Sequence, residues 1–137
     1  MNSKELKTRD QIDKKYKWNI EAMISDESTI DGDLEAIKAR AEEYARSYGG
    51  KLTESASVLL KAYKDRDSIW RDLERIFVYA RMRRDENNAE SRYQAMTSKC
   101  GSVIAAVSAS MAFFTPELLS ASDDTIIGYI EEEEGLK

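Results

Sequence analysis

Between residues 26 and 48 the apolar positions Ile30, Leu34, Ile37, Ala41, Tyr44, Ala45 and Tyr48 recur at steps of three and four. That is the spacing of one buried stripe on an α-helix. Gly49-Gly50 ends it, since glycine readily supplies the left-handed residue that closes a helix. A second stripe begins after Ser55, which is placed to cap it, and carries Val58, Leu59, Ala62 and Tyr63, then Ile69, Leu73, Ile76, Phe77 and Ala80. The charged run Lys64-Asp65-Arg66-Asp67 breaks the stripe and predicts a kink or a short turn. A third helix is predicted from about Ala89, with Tyr93, Met96, Cys100, Val103, Val107, Met111 and Phe114 in register. Its middle, Gly101 to Ala112, is rich in Ala, Ser and Gly. Small residues let helices approach closely, so this helix is expected to be the central and most buried one.

Thr115-Pro116 is read as the end of the third helix and the start of a short new one, because proline is tolerated at the first helical position and threonine caps it. Ser122-Asp123-Asp124 then caps a last helix from Thr125 to about Glu134, with Gly135 as its stop. Upstream, Tyr16, Trp18, Ile20, Met23 and Ile24 are spaced too irregularly for a helical face. Residues 1–24 are therefore read as an extended arm packed by its aromatics. The predicted fold is all-α: a bundle of about three long helices plus short C-terminal helices, with residues 25–137 forming a single helical domain behind the arm.

Composition supports this and narrows function. With 42% hydrophobic and 34% charged residues, six Gly and one Pro, the chain is poor in turn formers and rich in helix formers. Its net charge of -5 argues against nucleic acid or an anionic membrane as partner, both of which require an excess of Lys and Arg. Cys100 is the single cysteine, so no intrachain disulfide forms and a reducing compartment fits. The first residues lack the apolar core of a signal peptide, and no run of about twenty apolar residues is evident. A soluble, cytoplasmic chain is expected.

The count that restricts chemistry most is the absence of histidine. Without imidazole there is no Ser-His or Cys-His nucleophile pair and no HExxH zinc helix. Cys100 falls on the apolar face of the third helix with no base in register, which predicts an inert core thiol. Four consecutive acids, Glu131 to Glu134, point around a helix instead of converging on an ion. Arg81-Met82-Arg83-Arg84 suits carboxylate or phosphate recognition, but Asp85 and Glu86 follow directly, and dipole compensation with ion pairing accounts for the cluster. Trp70, Phe77, Tyr79 and Tyr93 read as core and interface packing. No catalytic, cofactor-binding or metal-binding residue is expected.

Several segments carry a resemblance to a known family. Tyr16-Lys17-Trp18-Asn19-Ile20-Glu21-Ala22-Met23-Ile24 is similar to the YKWDLxxIF-like opening of oligoendopeptidase F. Residues 73–88, reading LERIFVYARMRRDENN, resemble its LxxLYVYAxMRxDEDT stretch, and Ser91-Arg92-Tyr93-Gln94-Ala95-Met96 resembles the SKYQAL that follows. Lys51-Leu52 with Ser55-Ala56, and Phe113-Phe114-Thr115-Pro116-Glu117-Leu118, match its GKL...SAE and FFxPEL segments. The departures are Asn87-Asn88-Ala89 in place of acidic and threonine residues, Gly32 within the first helix, and the lack of any HExxH.

The resemblance implies an all-helical zinc endopeptidase of the thimet-oligopeptidase type, acting on short peptides inside a channel. This chain would be its N-terminal domain and would wall the channel, with Tyr79 and Arg83 among the residues open to a lining role. Zinc and every catalytic group would belong to a catalytic domain outside the chain, which is the partner the resemblance implies beside the oligopeptide substrate. Gly135-Leu136-Lys137 resembles the point where the family starts its next helix, so the chain is expected to be part of a larger protein. The alternative reading is a stand-alone helical interaction or dimerisation module, a homo-oligomer included.

Overall fold

The computed structural model describes residues 7–137; the first six residues of the predicted arm lie outside it. Three long helices pack against one another: α1 (Ile30–Tyr48), α2 (Ala56–Glu86) and α3 (Ser91–Ser110). Two short ones follow, α4 (Phe114–Ser120) and α5 (Asp123–Glu132), and no strand forms among the described residues. The architecture is the all-α bundle that the stripes predict.

The helix boundaries have local causes. The Ser55 hydroxyl accepts from the Val58 N–H at 3.2 Å and caps α2, and Ser122 does the same for Thr125 at the start of α5, each satisfying one of the donors that a helix start leaves open. Gly50, at φ 75°, turns the chain out of α1 in the left-handed region that glycine enters without a Cβ penalty.

Four expectations are corrected. First, α2 runs helically for 31 residues straight through Lys64 to Asp67. Asp65, Arg66 and Asp67 have partners on the bundle surface, and the backbone stays helical. Lys61 pairs with Asp65 at 2.7 Å, one turn apart, and the Arg66 guanidinium lies over the Tyr63 and Phe114 rings. No proline or glycine is present to break it. Second, the buried centre is α2, not α3. Ala56, Leu59, Ala62, Ile69, Leu73, Ile76, Tyr79 and Ala80 of α2 are buried, against Cys100, Val103 and Val107 of α3. The small residues of α3 that were expected at a helix crossing, Gly101, Ser102, Ala105, Ser108 and Ala109, face outward instead.

Third, α3 stops at Ser110, and a turn at Met111–Phe113 leads into α4 before Thr115 is reached. Thr115 caps nothing. Pro116 sits within the first turn of α4, where a missing N–H costs no helical hydrogen bond. The turn lets both Met111 and Phe114 enter the core. By length and composition the Ser91–Ser120 stretch is apolar enough to cross a membrane, contrary to the reading that no such run exists. Here it is two helices around a turn, with its Val, Met and Phe side chains in the bundle.

Fourth, the arm is not held by its aromatics. It forms three single 3-10 turns, Arg9–Gln11, Lys14–Tyr16 and Ile20–Ala22. Tyr16 and Trp18 are 72% and 77% exposed. Ile20 enters the core, with Met23 and Ile24 against it, and ion pairs to the C-terminal end of α2 complete the attachment. The arm lies where α2 ends in Arg83, Arg84 and Glu86, so charge supplies the contact.

Two substitutions distinguish a buried α2 from a buried α3. Leu73→Ala, at a fully buried site, is expected to lower unfolding free energy in urea by about 2–5 kcal/mol. Gly101→Ala, mid-helix with open space at its Cβ position, should leave stability unchanged or raise it by up to about 1 kcal/mol. A loss at Gly101 would return α3 to the buried centre.

Candidate functional site

The densest polar constellation lies where the arm, the start of α1, the end of α2 and the start of α3 meet. Its middle is the half-buried Glu27 carboxylate. Tyr79 of α2 donates its hydroxyl to Glu27 Oε1, and Tyr93 of α3 donates to the same oxygen at 3.0 Å. Arg92 of α3 reaches Oε2 at 2.5 Å, and Arg83 Nε stands 3.7 Å from Oε1. Arg83 is the second node. Its Nε donates to the Tyr79 hydroxyl at 3.2 Å, while Nη1 meets Glu21 of the arm at 3.1 Å and Glu86 at 3.2 Å. Glu86 also pairs with Arg9.

Helical spacing makes this arrangement possible. Tyr79, Arg83 and Glu86 are separated by four and then three residues and so share one face of α2. Burial raises the Glu27 pKa, but the two tyrosine hydroxyls and the guanidinium groups of Arg92 and Arg83 outweigh it, and the carboxyl titrates below the usual glutamate range. Tyr79 and Tyr93 move the other way, raised by burial and by bonding to a carboxylate. All three groups are thereby held in one protonation state at neutral pH. Such a cluster ties α2, α3 and the segment before α1 together.

A second clamp joins distant turns. The Glu117 carboxylate of α4 accepts from the Gly50 N–H at 2.9 Å and from the Leu52 N–H at 2.7 Å. It thus satisfies two backbone donors of the loop between α1 and α2. The segment 50–52 and the segment 113–118, quoted separately above, are therefore partners in space. The same holds at the Glu27 cluster, which gathers the arm, residues 79–86 and residues 92–93.

The remaining candidates are placed as follows. Arg83 is engaged as described, Arg84 pairs with Asp85 at 3.1 Å, and Arg81 lies 5.8 Å from the Phe77 ring centroid. Tyr79 is buried and Arg83 is engaged by the Glu21 and Glu86 carboxylates. Trp70, Phe77 and Tyr93 are half-buried. Cys100 is fully buried and burial pushes its thiol up, which keeps it protonated. Glu131, Glu132 and Glu134 are exposed. Among the described residues no three His, Cys, Asp or Glu side chains converge on a metal-sized site. The Glu27 node was missed in the sequence because Glu27 lies outside every apolar stripe. The signal available was a pair of tyrosines, Tyr79 and Tyr93, on faces otherwise aliphatic.

No family model matches the chain. It is 29% identical over 133 residues to oligopeptidase PepF of Bacillus subtilis, covering 97% of this chain and 20% of that protein. It is 30% identical over 114 residues to the chromosomal oligoendopeptidase F of Lactococcus lactis subsp. cremoris, covering 83% of this chain and 19% of that protein. The crystal structure of oligoendopeptidase-F from Enterococcus faecium superposes with a TM-score of 0.69 at 29% identity, over 81% of this chain and 22% of that one. The chain is related to oligoendopeptidase F. It spans about a fifth of the length of the curated relatives it matches. Tyr79, Arg83, Glu86, Arg92, Tyr93 and Glu117 lie in the stretches of this chain that resemble oligoendopeptidase F, while Glu27 lies outside them.

The sign of the Glu27 shift fixes a pH dependence. A carboxyl whose folded pKa is depressed contributes stability that is complete above the unfolded value of about 4.3 and is lost as pH falls through the folded value. Glu27→Gln removes that contribution and leaves Arg83 and Arg92 with an uncharged partner, which is expected to cost about 2–3 kcal/mol at pH 7. Urea unfolding between pH 7 and pH 3 should show a shallower acid loss in Glu27→Gln than in the parent chain. Equal acid slopes would show that Glu27 is not a linked group.

Proposed function

We propose that this chain is the N-terminal helical part of an oligoendopeptidase F-like zinc metalloendopeptidase and forms part of the wall of its substrate channel. In this reading oligopeptides are hydrolysed by a catalytic domain that lies outside the chain and holds the zinc. The present residues contribute confinement and packing, with no catalytic group among them. The enzyme would act in the cytoplasm. The observation that carries the reading is a relation to oligoendopeptidase F over nearly all of this chain and only a fifth of the relatives.

The internal chemistry agrees with it. Every charged group of the two clamps is spoken for by another residue of the chain, and the lone thiol is buried. What the helices offer is a stiff surface. A wall works by excluding folded proteins while admitting flexible peptides, and that function requires rigidity and shape more than reactive side chains.

A chimera tests it. The corresponding fifth of the Bacillus subtilis oligopeptidase is replaced by this chain, and turnover is measured on a short fluorogenic peptide and on a stably folded protein. The chimera is expected to cleave the peptide and spare the folded protein, and the chain by itself should cleave neither. Peptide turnover by the isolated chain that persists through repurification would place a site here and overturn the reading. Cleavage of the folded protein by the chimera would remove the confinement role.

A further inference from the structure

We infer that the outward aliphatic side of α4 and α5, marked by Leu119 and Ile127 with Ile130 beside them, is the surface on which this chain seats against the remaining polypeptide of such an enzyme. The occupant would meet it with an apolar centre bordered by Lys or Arg. This rests on the channel-wall reading and adds to it the face and the chemistry of its complement.

Leu119 is 77% exposed and Ile127 53%, large aliphatic side chains on consecutive helices. The helix that carries Ile127 is weakly supported from within. None of the ten residues of α5 is buried. It is held from one side by Ile126 and Tyr129 against the core, and by the Tyr129 hydroxyl donating to the Thr53 carbonyl at 2.8 Å. A helix of that length is marginal by itself, and its other side has no cover in this chain. Leu59, Leu60, Tyr63, Leu118, Ile126 and Leu136 form a largely apolar groove beside it, with Lys64 and Asp67 at its edge.

Charge selects the occupant. Asp123, Asp124 and Glu131 to Glu134 belong to this layer and Asp67 lines the groove, against two cations, Lys64 in the groove and Lys137, which pairs with Glu134. Two copies docked through the same face would bring these carboxylates together, so a second copy is disfavoured and a basic-rimmed partner is favoured. The relatives supply a source for it, since about four-fifths of their length lies beyond what this chain matches.

The test uses the double variant Leu119→Gln, Ile127→Gln, both exposed and neither a member of a clamp. In the isolated chain its thermal midpoint should match the parent within about 2 °C, as for surface substitutions. In the Bacillus subtilis chimera the same pair should lower peptide turnover by about tenfold or more, the effect of removing apolar anchors from an interface. A parent chimera with full activity and no sensitivity to the pair overturns the face while leaving the channel-wall reading intact. A parent chimera that folds but is inactive counts against both. Light scattering that shows the isolated chain as a dimer, and the variant as a monomer, would assign the face to a second copy and overturn the proposal.

Discussion

A carboxylate drawn partly out of water must be met by enough donors to replace its hydration. Glu27 meets that condition with two phenols and two guanidinium groups drawn from α2 and α3. Once they converge, the start of α1, the end of α2 and the start of α3 are fixed relative to one another. The arm is fixed with them, because Arg83 uses its other nitrogen for Glu21 and Glu86. At 31 residues α2 spans roughly 46 Å at 1.5 Å per residue, and this cluster anchors its C-terminal end. Near its N-terminal end the work passes to Glu117, which ties the preceding loop to α4. Between the two, stability comes from aliphatic burial along α2.

This division gives the polar residues of the two clamps a structural role. Polar residues are retained in such a bundle where they specify which elements meet, a role hydrophobic contacts fill less selectively. The Glu27 and Glu117 clamps are both of that kind. They join the elements that meet near the two ends of α2.

Much of the fold was legible in the stripes of Ile30 to Tyr48, Val58 to Ala80 and Tyr93 to Val107, and in the caps Ser55 and Ser122. Burial along the third stripe was not. Ala, Ser and Gly suit a close helix crossing and an exposed flank equally well, and which applies depends on where neighbouring helices lie. The charged run at Lys64 to Asp67 misled for a related reason: a break in hydrophobic periodicity reads as a break in the helix, whereas here Lys61 pairs with Asp65 and the Tyr63 and Phe114 rings hold Arg66. The burial of Cys100 was legible from its place on the apolar face of the third stripe. The clamp was not, because its partners are 52 to 66 residues apart in sequence and no periodicity links them.

The central claim is that Glu27 and Arg83 act as one unit that joins arm and bundle. A double-mutant cycle measures this directly, with unfolding free energies for Glu27→Gln, Arg83→Met and the pair. The account predicts a coupling of about 1–3 kcal/mol, as for residues that share one ion-pair network. Effects that add to within about 0.5 kcal/mol would contradict it, since that is the behaviour of independent sites.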